Sequence, residues 1–275
     1  MRYHAIVIVT GVMLLGLAPT LSAQQTIEET CSASFHVDGR GNASHQIIVQ
    51  YPPSSYADYL KTMSETLKSQ TLIALQRDYT LYGWEVKNAS CEVSGLGAGE
   101  NLQITVTCEV PSLARWSENR WTIGIGYANP EEAAGYLINK WNTMRTVLLY
   151  LGVGNRYIEN VELAFILPEG AEIVNRAELE NREAENIEYG GGTYTESSLH
   201  IEKREGRSAV IMRTQIVITT ENITITPQEL AQRESEKLIV EYTGVPLPPE
   251  NFLLYIAVGV AISAVIVAVA LLKRR

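Results

Sequence analysis

Histidine and cysteine, the residues that carry much catalytic and metal chemistry, are almost missing from this chain: four and three in 275 residues. His4 falls in the N-terminal apolar segment, which leaves His36, His45 and His200 for the body. A serine or cysteine nucleophile would need one of these as its base, or a lysine, and no spacing supports such a pair. His36 and His45 flank one hairpin, but the register that buries its apolar residues sends them to opposite faces, so exposed strand histidines are expected there and no metal site. HExxH, CxxC, GxSxG and Walker signatures are all absent. Gly95, Gly97 and Gly99 are not followed by a helix, and Gly190-Gly191-Gly192 leads into a strand, so both runs are turns and no dinucleotide fingerprint. The sequence calls for no cofactor and no metal.

Positive charge is also short. Four of the 22 basic residues (Arg2, Lys273, Arg274, Arg275) lie in the terminal segments, and no acidic residue does. The portion between therefore carries 18 basic against 31 acidic residues, a formal charge of −13. Such a surface repels phosphate backbones, which argues against a nucleic-acid partner.

Long apolar runs are present at both ends. Phe252 to Leu272 holds no charged residue and is followed by Lys273-Arg274-Arg275. About 20 apolar residues suffice to cross a hydrocarbon core of roughly 30 Å, and the basic triplet marks the cytoplasmic side. Ala5 to Leu17 is shorter, sits behind Arg2 and precedes Leu21-Ser22-Ala23, which is the pattern of a signal peptide and its cleavage site. The expected organisation is a signal peptide over 1–23, an extracytoplasmic α+β domain over 24–156, a mostly β domain over 157–243, a proline-rich linker over 244–251, a transmembrane helix over 252–272 and a cytoplasmic tail over 273–275. This places the chain in the cell membrane as a single-pass protein with its N-terminal ectodomain outside. About 225 residues between the apolar ends are enough to bury a core without metals.

Within the body, Cys31–Val37 and His45–Tyr51 alternate apolar and polar residues around Asp38-Gly39-Arg40-Gly41-Asn42, a hairpin with Phe35 opposite Ile47 and Ala33 opposite Val49. A single amphipathic helix is expected from the Ser54/Ser55 cap to about Tyr79, with Tyr56, Tyr59, Leu60, Met63, Leu67, Ala74 and Leu75 on one stripe. Strands follow at about Trp84–Val93, Leu102–Val110 and Arg120–Tyr127. Asn129-Pro130-Glu131-Glu132 opens a second amphipathic helix running to about Leu151. Strands at Ile158–Leu167, Glu172–Asn175, Gly192–Glu202, Ser208–Thr220 and Leu238–Tyr242, with a short helix after the capping box Thr226-Pro227-Gln228-Glu229, complete the reading. The fold class is α+β: antiparallel sheets with two helices in the N-terminal half, and a mostly β C-terminal half.

Few residues stand out as functional. Cys91 and Cys108 flank the Gly95–Gly99 turn and would face each other as a disulfide if that hairpin is symmetrical; Cys31 pairing with either is the rival. Asn42, Asn88 and Asn222 head the sequons Asn-Ala-Ser, Asn-Ala-Ser and Asn-Ile-Thr and are glycosylation candidates. Trp116 and Trp121 bracket Ser117-Glu118-Asn119-Arg120, a loop tip that could present an exposed binding contact. The acidic run Glu178, Glu180, Glu183, Glu185 and Glu188 fits a solvated loop better than a Ca²⁺ site, since it lacks a DxDxDG-like pattern. In the apolar run, Gly259 with Ser263, Ala257 with Ala261 and Ala264 with Ala268 stand four apart, a spacing that permits close helix approach.

The layout of leader, sequons and C-terminal anchor resembles that of archaeal cell-surface proteins, a resemblance of organisation that implies no residue roles. The function expected is a non-catalytic binding or assembly module at the cell surface, with a protein partner or self-association. An accessory subunit of a multi-span membrane complex is a second expectation. The third is an extracytoplasmic hydrolase or carbohydrate-binding protein using the Glu178–Glu188 carboxylates and the loop tryptophans.

Overall fold

A computed structural model of the chain describes residues 26–129, 131–132, 135, 156–180, 185–189, 192–196, 199–219 and 238–245. The two apolar ends, most of the expected second helix, the Thr226 capping box and Asn222 lie outside the described residues. Among the described residues no helix is long and apolar enough to cross a membrane.

The structure is mixed α and β, rich in sheet and poor in helix. Its spine is a nine-stranded sheet. β1 (Thr26–Val37) and β2 (Ala43–Tyr51) form the expected hairpin, β3 (Lys87–Ser94) and β4 (Leu102–Val110) form the next, and β4 pairs with β2. On the other side β1 meets β7 (Arg156–Ile166), which pairs with β12 (Arg207–Thr219). Beyond β12 lie β10 (Gly192–Glu196) and β9 (Glu185–Tyr189), while β11 (His200–Arg204) pairs with another stretch of β12. A smaller sheet contains β5 (Ala114–Ser117), β6 (Arg120–Ile125), β13 (Leu238–Thr243) and β8 (Glu172–Ile173), in the order β5-β6-β13-β8. Among the described residues all pairings are antiparallel except β1 with β7, which run parallel from Thr26–Arg156 to His36–Ile166.

That parallel pair crosses the boundary expected near residue 156. β1 belongs to the first half of the chain and β7 to the second, and their side chains fill one core: the Phe35 and Phe165 rings stack 5.0 Å apart. The small sheet likewise joins β6 to β13. The change to strand-rich sequence at 156 marks a return of the chain into an existing sheet.

Strand alternation decides which face is core. On β1, Ile27, Glu29, Cys31, Ala33, Phe35 and Val37 are buried while Thr26, Glu28, Thr30 and Ser32 are exposed. Ile47, Val49 and Tyr51 join the buried face as expected. The hairpin register is offset by two residues from the expected one: Phe35 faces His45 and Ala33 faces Ile47. An offset of two preserves the faces; beyond the Asp38–Asn42 turn His45 is in phase with Ile47, Val49 and Tyr51 on the buried side. Asp38 holds that turn, its carboxylate accepting from the backbone N–H of Arg40 and of Asn42 at 2.8 and 2.9 Å.

The first expected helix is two helices, α1 (Ser55–Lys61) and α2 (Ser64–Leu81). Ser54 caps α1 by accepting from Ala57 N at 3.0 Å. Thr62 breaks the run: its hydroxyl donates to Tyr59 O at 2.6 Å, a local bond that competes with helix continuation. α2 buries Leu67, Thr71, Leu75, Asp78 and Tyr79 against the sheet and leaves Ile73 60% exposed on the far side. A short α3 (Arg176–Glu180) follows β8.

Candidate functional site

With α1 and α2 contributing Ala57, Leu60, Leu67, Leu75 and Tyr79 to the core side, the opposite face of the large sheet is defined by the other half of each strand. The pairing registers align Gln103 of β4, Gln50 of β2, Thr30 of β1, Asn160 of β7 and Gln215 of β12 in one row across five strands. The row continues to Thr195 of β10 and Asn186 of β9. Every member is an uncharged amide or hydroxyl residue. Gln50 Nε2 donates to Gln103 Oε1 at 2.9 Å, and Gln215 Nε2 donates to Asn160 Oδ1 at 2.9 Å. These cross-strand pairs fix the amides in place.

The adjacent row reads Thr105, Ile48, Ser32, Glu162, Arg213. Glu162 is held between two arginines, with Arg213 Nε at 3.0 Å and Arg204 at 2.8 Å. Burial pushes its carboxyl upward, but hydrogen bonds from Arg204 and Arg213 outweigh this and hold it below the ordinary carboxylate range. It stays ionised, and with Glu202 on Arg204 at 2.8 Å the two arginines and two carboxylates balance in charge. A groove of about 460 Å³ opens here, lined by Thr30, Ser32, Asn160, Glu162, Arg213 and Gln215. Thr30, Ser32, Arg213 and Gln215 are exposed. The arrangement is a grooved sheet face of oriented donors and acceptors, suited to hydrogen-bonding a polar partner. Sequence reasoning treated these residues only as the outward half of each strand; the row appears once the registers are known.

The expected tryptophan pair is brought together. Trp116 on β5 and Trp121 on β6 are directly opposed, with ring centroids 5.4 Å apart and edge-to-face. Glu118 and Asn119 make the tip, both with positive φ (52° and 63°), the geometry of a two-residue hairpin turn. Only Trp116 offers its ring to solvent (36% exposed); Trp121 is buried at 4%, stacked on Tyr242.

The cysteine expectation meets a different register. The β3–β4 hairpin forms, but Cys91 faces Val106, and Cys108 faces His45 on β2. A bulge between Lys87 and Ser90 accompanies this asymmetry. Cys31, Cys91 and Cys108 are joined in no disulfide among the described residues. Burial pushes the Cys108 thiol up to about 12.

His45 corrects the expectation of exposed strand histidines: it is 2% exposed. Its Nδ1 lies 2.9 Å from Ser34 O, and Tyr79 OH bonds its Nε2. A carbonyl can only accept, so Nδ1 carries the proton and Nε2 accepts from the tyrosine. His36 does lie on the other face, where its Nδ1 accepts from Arg207 at 3.0 Å. Among the described residues no group of three or more His, Cys, Asp and Glu is placed to hold a metal.

Of the sequons, Asn88 is exposed at φ 52°, its Nδ2 donating to Glu109 at 2.9 Å. Asn42 is half-buried and accepts from Ser112 N at 3.1 Å. The acidic run is divided, Glu178 and Glu180 on α3 and Glu185 and Glu188 on β9, with Glu180 paired to Arg176 at 2.8 Å.

Sequence reasoning missed a second feature. Glu29 and Glu159 are register partners on β1 and β7, both buried at 0 and 1% exposure. Tyr51 and Tyr157 donate to the same Glu29 oxygen, Tyr157 at 2.5 Å. Burial first, then the neighbouring Glu29 and Glu159, push the Tyr157 phenol well above its usual value. The phase was readable: Glu29 shares the alternation of Cys31, Ala33 and Phe35.

No protein-family model matches the chain. No curated protein matches it either.

Proposed function

We propose that the chain is a single-pass, membrane-anchored extracytoplasmic protein that works as a non-catalytic binding or assembly module, and that the amide-rich face of its large sheet is the binding surface. The observation that carries the reading is the continuous row Gln103, Gln50, Thr30, Asn160 and Gln215 beside an exposed groove. The apolar run over 252–272 with its basic end supports the anchor, and the apolar leader at the N-terminus supports the compartment. The net charge of the body, −13 outside the terminal segments, disfavours nucleic acid and leaves hydrogen bonding as the main recognition chemistry.

The test is affinity purification of the full chain from crosslinked native membranes, comparing the unaltered protein with Thr30→Arg. Thr30 is exposed at the centre of the row, so arginine there blocks the face without touching the core. Loss of a stoichiometric partner, or of the self-associated species, in the variant supports the reading. Equal recovery from both proteins refutes it. A partner that is a multi-span membrane protein would specify the role as an accessory subunit.

A further inference from the structure

The β5–β6 hairpin stands at the end of the body where the chain leaves for the anchor. β13 is antiparallel to β6 with Tyr242 opposite Trp121, so the exit of β13 lies beside the start of β6 and hence beside the tip Ser117–Arg120. The chain remains fixed to the body beyond β13. A Cβ placed on Gly244 would come within 2.3 Å of Gly170 O, and Val245 is 8% exposed, against the Gly39 turn. Only residues 246–251 separate this anchored point from the apolar run at Phe252. Six residues rich in proline reach roughly 19 Å at about 3.1 Å each. The headgroup zone outside the hydrocarbon is itself about 5–8 Å deep. The end of the body that carries the hairpin is therefore confined within a short distance of the lipid surface.

The composition of the tip matches that location. Trp116 is one of the few large apolar side chains exposed among the described residues. Its indole offers an apolar body and one N–H donor, the combination enriched where hydrocarbon meets headgroups. Arg115 is exposed beside it, and Arg120 bridges Glu118 and Glu241 at 3.1 and 2.8 Å, which stiffens the turn. Trp121 supports Trp116 from beneath by its edge.

We propose that the Trp116 hairpin tip inserts into the lipid headgroup interface and sets the tilt of the ectodomain, so that the amide-rich face stands to the side of the membrane, open to a neighbour in the same bilayer. This rests on the anchor reading of 252–272.

The experiment uses the full chain reconstituted in phosphatidylcholine vesicles whose acyl chains are brominated close to the headgroup. None of the four tryptophans (Trp84, Trp116, Trp121, Trp141) lies in the apolar run, so the anchor itself contributes no signal. Shallow bromine is expected to remove up to roughly a quarter of the emission, one indole in four, at the depth where tryptophan settles. Trp116→Phe should abolish that fraction. A photo-reactive benzoylphenylalanine in place of Ser117 gives an independent reading that spares Trp116; it should form lipid adducts, whereas the same residue at Ile73 on α2 should form none. A chain that floats with the vesicles but shows equal quenching with and without Trp116, or no lipid adduct from position 117, overturns the hairpin contact alone. A chain that fails to float overturns the anchor reading and this one with it.

Discussion

Lowering the pH should destabilise the protein through one imidazole, His45. The ring is stacked on Phe35 at 3.8 Å and enclosed on its other sides by Ser34 O and Tyr79 OH. Burial lowers its pKa from 6.5 to about 3, opposed in part by the Ser34 carbonyl and aided by nearby His36. The folded state therefore binds the proton less readily than the unfolded chain. Stability from the neutral ring is fully present above about pH 6.5 and declines as pH falls from there toward the folded value near 3. One pKa unit corresponds to about 1.4 kcal/mol, so the loss is about 2 kcal/mol at pH 5 and approaches about 5 kcal/mol below pH 3. Against a total of about 5–15 kcal/mol, that is a large share. Carboxylates titrate over part of the same range, so the difference between the unaltered chain and His45→Gln isolates the imidazole. Urea titrations of the full chain in mild detergent at pH 7.5 and pH 5, followed by tryptophan emission, supply the two stabilities for each protein. The unaltered chain should lose about 2 kcal/mol more than the variant across that interval. Parallel losses in both proteins would refute the buried, neutral assignment of His45.

Three further outcomes follow from the packing. Phe35→Ala removes a fully buried ring that stacks on His45 and Phe165, and a urea titration should show a loss of about 3–5 kcal/mol. Gly41→Ala is strained by φ +82° and places a methyl 2.3 Å from Ala114 O and 2.8 Å from the Trp121 ring; its melting temperature should fall by several degrees, while Gly99→Ala, which meets no atom within 4 Å, should suffer only the cost of its positive φ. Iodoacetamide at pH 8 should label the half-buried Cys91 slowly and leave buried Cys31 and Cys108 unmodified in the native chain, with all three modified in urea without reductant. Intact mass showing only one labelled cysteine in urea would instead establish a disulfide.

Much of the N-terminal half was legible because its signals are local. Alternation over Cys31–Val37 and the turn at Asp38–Asn42 define the first hairpin, and Leu102–Val110 is a strand with the bounds expected. The Ser54 cap is where the sequence placed it. The break at Thr62 was not foreseen, because a side-chain bond to Tyr59 O leaves no mark on apolar spacing. Long-range pairing was the larger gap. Nothing in the sequence of β1 says that its second neighbour is β7, more than a hundred residues on, so the amide row and the Glu29–Glu159 pair could not be assembled. The loop tip between Trp116 and Trp121 was legible; the strand Ala114–Ser117 and the opposition of the two rings were not read, and that one is exposed and the other buried depended on Tyr242 arriving from β13. His45 shares the alternation of Ile47, Val49 and Tyr51, so its place on the buried face was readable from the strand phase, which a two-residue offset leaves unchanged.

The measurement that bears most directly on the central claim is site-specific photo-crosslinking in native membranes. Benzoylphenylalanine at Ser32, exposed beside the groove, is compared with the same group at Ile73 on the far side of α2. The account predicts a discrete protein adduct, heterologous or homodimeric, from position 32 and none from position 73. Adducts from position 73 but not from position 32 would contradict it.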